Sequence, residues 1–125
     1  GQPLARPAGV NTALGEGFGL VSFEHAATGV PQVVPDHAAM AELWGDAAIR
    51  VPTQPCYTDY SPLRMGEVDV IAVARAFADL RDDPVRYARA AQAARLHASS
   101  PVFAWRTVGE RLCRLLRGGQ GVEPA

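Results

Sequence analysis

The stretch Val30-Pro31-Gln32-Val33-Val34-Pro35 constrains this chain most: it is short, rich in β-branched valine and bounded by proline. Proline donates nothing to a sheet ladder, and a brief apolar run without strict alternation suits a strand buried on both faces. It reads as a strand of a parallel sheet, its first residues near a sheet end. Parallel strands need long crossovers, usually helical, and the flanks supply them. Upstream, Gly9 to Leu14 (GVNTAL) enters as a short strand, and Gly15-Glu16-Gly17-Phe18-Gly19 forms a loop. Leu20 to Ala27 follows as a helix with Leu20, Phe23 and Ala27 on its apolar face and Gly29 as its stop. Downstream, Asp36 is placed to cap a helix over His37 to Trp44, and Ala48 to Val51 makes a third strand. The alternation predicts an α/β domain.

A chain of 125 residues holds one domain and one core. Residues 1–8 (GQPLARPA) carry two prolines and no periodicity, an irregular lead-in to the α/β part over 9–52. Residues 52–66 (PTQPCYTDYSPLRMG) read as a long proline-rich loop, after which only helices are suggested, over 67–117, with a tail at 118–125. Val68 to Leu80 has a broad apolar face. Asp83-Pro84 starts a second helix that runs through His97, with Pro in its first turn. The last helix, Ala104 to Arg117, sets Trp105, Val108, Leu112, Leu115 and Leu116 on one stripe and Arg106, Arg111, Arg114 and Arg117 elsewhere.

Composition narrows the function classes. The chain is 48% hydrophobic and 20% charged, a globular balance, and its formal net charge of -1 with scattered arginines lacks the footprint of a nucleic-acid binder. Cys56 and Cys113 match neither a zinc-site spacing nor a disulfide scaffold and are expected to be free thiols. No apolar run approaches the ~20 residues that span a bilayer. The start Gly1-Gln2-Pro3 has no initiator methionine and no leader pattern, and reads as an internal start, consistent with a fragment. A soluble cytoplasmic setting is the default.

Chemistry concentrates at Gly15 to Pro31 (GEGFGLVSFEHAATGVP), where a glycine loop runs directly into a helix with Glu16 and Glu24 on either side of the junction. Glycines let a ligand approach the backbone, and free N–H groups at a helix start favour a phosphate. By itself such a loop is more often a tight strand-to-helix turn. A glutamate beside a phosphate-binding helix start is useless unless it serves another part of the ligand, and a sugar hydroxyl is such a part. In a continuous helix the two acids would stand ~12 Å apart, beyond the roughly 5–9.5 Å of a hydrolase carboxylate pair, so two-acid hydrolysis is disfavoured. His25 and His37 flank the region without further ligands and read as local polar contacts, so no metal is expected. Phe18 and Trp105 offer either base-stacking surfaces or core, and Trp105 is assigned to the core. The arginines of the last helix read as a solvated face, with a peripheral contact to anionic lipid as the alternative.

The run EGFGLVSFE, in which Glu16 and Glu24 enclose seven residues, resembles the Glu-x7-Glu signature of family 4 glycosyltransferases. AATGVP at 26–31 resembles the small-residue run that follows it, and PQVVPD at 31–36 resembles the next strand and its acidic turn. Glu42 stands where the family often has an acid, and FAWRTVGERL at 103–112 resembles the family's closing Trp-containing helix. The likeness covers about residues 9–117. It implies the C-terminal half of a GT-B fold: a partial Rossmann-like parallel sheet with flanking helices and a helical C-terminal extension.

By the same resemblance the activity is retaining transfer of a sugar, of hexosyltransferase type, from a nucleoside-diphosphate-sugar donor, without metal or other cofactor. Glu24 would hydrogen-bond the ribose hydroxyls and Glu16 the donor sugar near the reacting centre. Backbone N–H groups of Gly17, Phe18, Gly19 and Leu20 would meet the sugar and diphosphate. The family's same-face displacement, in which the leaving diphosphate helps deprotonate the acceptor, asks the protein for positioning and electrostatics. The pocket for the acceptor, a glycan, lipid or small molecule, and the basic residues that neutralise the diphosphate belong with an N-terminal GT-B domain and an earlier part of the C-terminal domain, both expected upstream of residue 1. The chain alone is therefore expected to be catalytically silent. After Asp36, where many members show a glycine pair, this chain has His37-Ala38-Ala39. Two further readings stand beside this one: a non-catalytic sugar-nucleotide-binding or protein-interaction fragment, and, ranked last, a doubly wound phosphate-binding signalling domain offering only Asp36 as acceptor.

Overall fold

The proline-bounded run forms the central strand. In the computed structural model, which describes residues 6–118, β2 (Gln32–Pro35) is buried along its whole length. It lies between β1 (Gly9–Val10) and β3 (Ile49–Val51), parallel to both, with Gly9 opposite Gln32 and Val33 opposite Ile49. Helix α1 (Leu20–Ala27) connects β1 to β2, and α2 (Ala38–Trp44) with a 3-10 turn (Gly45–Ala47) connects β2 to β3. Adjacent residues of β2 feed opposite layers, as the two-residue period of a strand requires. Val34 packs with Ala26 of α1, Met40 and Trp44 of α2, and Ala94 of α4 (Pro84–Ala98). Val33 packs with Val51 and with Ala76 and Leu80 of α3 (Val70–Asp82). Buried side chains of this size each contribute on the order of 1.5–3 kcal/mol. The result is the expected α/β arrangement, a partial Rossmann-like sheet between helices.

Local chemistry sets the helix starts. Asp69 Oδ1 accepts from the N–H groups of Ile71 (2.8 Å) and Ala72 (3.1 Å), and Asp83 Oδ1 accepts from Val85 and Arg86 (both 2.9 Å), with Pro84 in the first turn. Each cap contributes about 1 kcal/mol. Asp69 also stops Val68 from joining α3, which begins two residues later than its apolar pattern suggests. At α2 the expected cap does not form. Asp36 lies one residue too early and accepts instead from Arg50 Nη1 on β3 (3.0 Å), leaving His37 as an N-cap without a side-chain bond. Ala38, the first residue of α2, has φ +46°.

Three further expectations are corrected. The strand over 9–14 is two residues long: Asn11 N–H still bonds Val33 O (2.9 Å), but its Oδ1 then accepts from Ala13 N–H (2.8 Å), an Asx turn that bends the chain out of the ladder. The loop over 52–66 is a β-hairpin, β4 (Thr53–Thr58) antiparallel to β5 (Ser61–Val68). Its prolines are tolerated because each strand of a two-stranded ribbon has a free edge. Trp105 is not core. It opens α5 (Trp105–Leu116) at 88% exposure, and no residue of that helix is buried. Residues 1–5 and most of the tail lie outside the described residues.

Candidate functional site

Loops leaving the C-terminal ends of parallel strands gather on one edge, where open α/β sheets bind ligands. Here the segments at that edge are residues 11–19 after β1, Asp36 and His37 after β2, and Pro52 with the hairpin after β3. The hairpin ties them together. Gly66 N–H donates to Leu14 O (2.9 Å), and Asp69 N–H donates to Pro52 O (2.9 Å). A β carbon on Gly66 would come within 2.7 Å of the His37 imidazole Cγ, so glycine here admits a ring against the backbone. His37 thus packs its ring against the backbone, where its sequence context suggests a local polar contact.

The three glycines of the 15–19 loop have different causes. Gly19 has φ +77°, and a β carbon there would lie 2.9 Å from Met40 Sδ, so conformation and packing both demand glycine. At Gly15 and Gly17 no positive φ is needed, and an added β carbon would meet nothing within 4 Å. Both are exposed. Nothing inside the fold requires these two residues to be glycine.

Helix α1 starts directly after Gly19 with no side-chain cap. Its first N–H groups are therefore the orphan donors of any helix start, open to an anion. Leu20 (63% exposed) and Val21 (82% exposed) carry two of them. Glu24 is exposed one turn on, and residues 20, 21 and 24 share the outer face of α1, while Ser22, Phe23 and Ala26 face inward. Helical side chains lean toward the N-terminus, which directs Glu24 back toward the loop. Glu16 is exposed in that loop, with its Oε1 accepting from Gly17 N–H (3.1 Å). The helical spacing between the two acids does not apply, because Glu16 lies outside the helix. Glu42 lies exposed on α2.

Phe18 fixes the loop from beneath. Its ring lies 5.2 Å from Phe23 and 6.3 Å from Phe103, within a cluster that includes Trp44 and His97. The Phe18 side chain is an anchor, not a platform for a base. Sequence reasoning missed Phe103 and His97 as supports, because they lie far along the chain and carry no local signal. Burial pushes the His97 pKa down, against a smaller upward pull from the Leu43 backbone, and its Nε2 is buried without a partner, so the ring is neutral in this cluster. Among the described residues, no three His, Cys, Asp or Glu side chains gather as a metal-binding group, and no helix is long and apolar enough to cross a membrane.

A parallel sheet whose first strand leads through a glycine loop into an uncapped helix, with carboxylates at the junction, defines the Rossmann-like class. The model of Family 4 Glycosyltransferase in conflict systems matches residues 9–112, most of the chain, and the chain belongs to that glycosyltransferase family. The match runs from β1 into α5. No curated protein matches the chain.

Proposed function

We propose that this chain binds the nucleoside-diphosphate-sugar donor of a retaining, hexosyltransferase-type glycosyltransferase of GT-B architecture. One observation carries the reading: Gly15 and Gly17 leave open space that neither backbone conformation nor packing accounts for, beside the uncapped start of α1 and two exposed carboxylates. A backbone kept bare at a helix start suits close approach of a diphosphate. Glu24 then accepts hydrogen bonds from the ribose hydroxyls, Glu16 contacts the donor sugar, and N–H groups from Gly17 to Leu20 meet the diphosphate and sugar. Binding would draw Glu16 off Gly17 N–H and free that donor.

In the reaction the acceptor hydroxyl oxygen bonds to the anomeric carbon on the face from which the diphosphate departs. The carbon–oxygen bond to the phosphate breaks, and the hydroxyl proton passes to the departing phosphate oxygen. Atoms and charges balance without a cofactor. The acceptor pocket and further cations for the diphosphate come from a second, N-terminal domain. The exposed Leu20 and Val21, at the mouth of the site, are suited to lie beneath a bound donor or that domain.

Calorimetric titration of the chain with UDP, GDP and their sugar conjugates tests the donor site. Saturable binding is expected for one base. A hydrogen-bonded carboxylate contributes about 1.5–3 kcal/mol, so Glu24→Ala should weaken it on the order of 10- to 100-fold. A folded chain that binds none of these ligands, or binds equally well without Glu24, refutes the assignment.

A further inference from the structure

Three buried side-chain polar atoms lack a hydrogen-bond partner among the described residues, and two of them, Trp44 Nε1 and His97 Nε2, belong to neighbouring rings. Those rings stand 5.4 Å apart, 36° from parallel. His97, on α4, also meets Phe103 at 5.1 Å and Phe23 at 6.3 Å, both T-shaped, so rings from α1, α2 and the turn Pro101–Phe103 surround it. The imidazole as a whole is half-buried, but its Nε2 is fully enclosed. An orphaned buried polar atom costs free energy that a phenylalanine at position 97 would avoid. Phe23 and Phe103 are also the rings that hold Phe18, and with it the loop between Gly17 and Gly19. One titratable ring therefore stands behind the support of the glycine loop.

We propose that His97 is a positioning residue for the donor site, whose neutral ring braces Phe18 through Phe23 and Phe103, and whose protonation loosens the glycine loop while the sheet stays folded. The loss of donor rests on the binding proposed above, whereas the movement rests on the aromatic cluster alone. An imidazolium carries an N–H at both nitrogens, and the one at Nε2 has no acceptor here. Burial opposes the charged form more than the Leu43 backbone favours it. The ionisable groups on the surrounding elements are Glu24 and His25 on α1, Glu42 on α2, Asp46 in the turn after it and Arg95 on α4 itself. The turn Pro101–Phe103 has none, and none of these charges contributes to the shift. Outside the cluster a cationic ring finds a favourable place, since His97 lies in the last turn of α4, where the helix carbonyls attract positive charge. The effect reaches the site at Phe23, whose N–H bonds Gly19 O (3.1 Å) where the loop becomes α1.

Proton NMR of the full chain gives the titration midpoint of His97, as the imidazole signal that vanishes in His97→Phe. Calorimetry then measures binding of UDP-glucose and GDP-mannose about one pH unit above and below that midpoint. These diphosphate diesters keep their charge over the range, unlike UDP and GDP, whose terminal phosphate titrates at about pH 6. Wild-type affinity should fall about tenfold across the interval, the limit for one proton excluded from the bound state, and His97→Phe should bind equally well on both sides. His97→Gln, polar but never charged, should be equally flat, and replaces the phenylalanine variant if that fails to fold. Without any nucleotide sugar, exchange of the Phe23 N–H, corrected for its intrinsic rate, should quicken about tenfold below the midpoint, while the Asn11 N–H on Val33 O keeps its protection. Parallel pH profiles in wild type and variants overturn the proposal. So does a His97 that titrates with Phe23 exchange unchanged, the result if the surrounding ring faces hold the imidazolium in place. Loss of the whole fold by circular dichroism at or above the midpoint does the same, because the histidine is then a global support. If neither nucleotide sugar binds at any pH, the donor assignment fails and the exchange result alone decides the role of His97.

Discussion

Ala38 occupies a backbone state built for glycine. Its φ of +46° sits at the first residue of α2, immediately beyond β2. An L-residue in the left-handed region pays about 1–2 kcal/mol for the clash of its β carbon. Glycine removes that clash and loses about 0.5–1 kcal/mol through the greater freedom of its unfolded chain. Ala38→Gly should therefore stabilise the fold by about 0.5–1 kcal/mol. With an unfolding entropy near 2.1 cal/mol/K per residue over 125 residues, this raises Tm by roughly 2–4 °C. Ala39→Gly is the internal control, since it lies inside the same helix without a positive φ and should cost about 1 kcal/mol. Urea unfolding followed by circular dichroism measures both, and an unchanged m-value confirms that the native state is being compared with the same denatured ensemble. Equal losses for the two variants would refute the argument.

Gly19→Ala should cost at least about 2 kcal/mol from its φ and the Met40 contact, whereas Gly17→Ala should stay within about 0.5 kcal/mol of wild type and weaken donor binding, as thermal unfolding and calorimetry would show. Phe103→Ala should cost about 2–3 kcal/mol and speed hydrogen exchange at residues 16–19, because Phe18 loses an edge-on partner. The folded pKa of His97 lies below its ordinary value, so the unfolded chain takes up a proton first as pH falls. Its contribution is fully present above about pH 6.5 and is lost as pH falls through the folded pKa; His97→Phe should flatten the stability profile below about pH 6.5 in urea titrations at successive pH values.

What was legible in the sequence was what local chemistry controls. α1 spans the expected Leu20 to Ala27 because the glycine before it and Gly29 after it act within one or two turns, but it buries Ser22 and Ala26 beside Phe23, and Leu20 and Ala27, read from the sequence as part of its apolar face, are exposed. The buried β2 and the Asp83-Pro84 helix start were legible for the same reason. The hairpin was not, since Pro55 and Pro62 break strand patterns and the pairing that accommodates them, Pro55 opposite Gly66, is a tertiary fact. Asp36 illustrates competition: its type and place suit a cap, and a guanidinium on the neighbouring strand took it. Trp105 shows that a helical apolar stripe identifies a face to be covered without saying by what. At the candidate site, the residue types were readable but the distinction between Gly19 and its neighbours was not, because it depends on where Met40 lies.

The aromatic contact between Phe18 and Phe103 also bears on the order in which the molecule is made. One partner lies between β1 and α1 and the other just before α5, so closing the contact is among the most non-local steps of folding this segment. During synthesis the sheet, α1 and α2 can assemble while Phe103 is still untranslated, which leaves Phe18 with Phe23 as its one aromatic ring partner among the described residues. The glycine loop would then be the last part of the site to become rigid, and recognition of a ligand there would begin only once Phe103 has been made and packed.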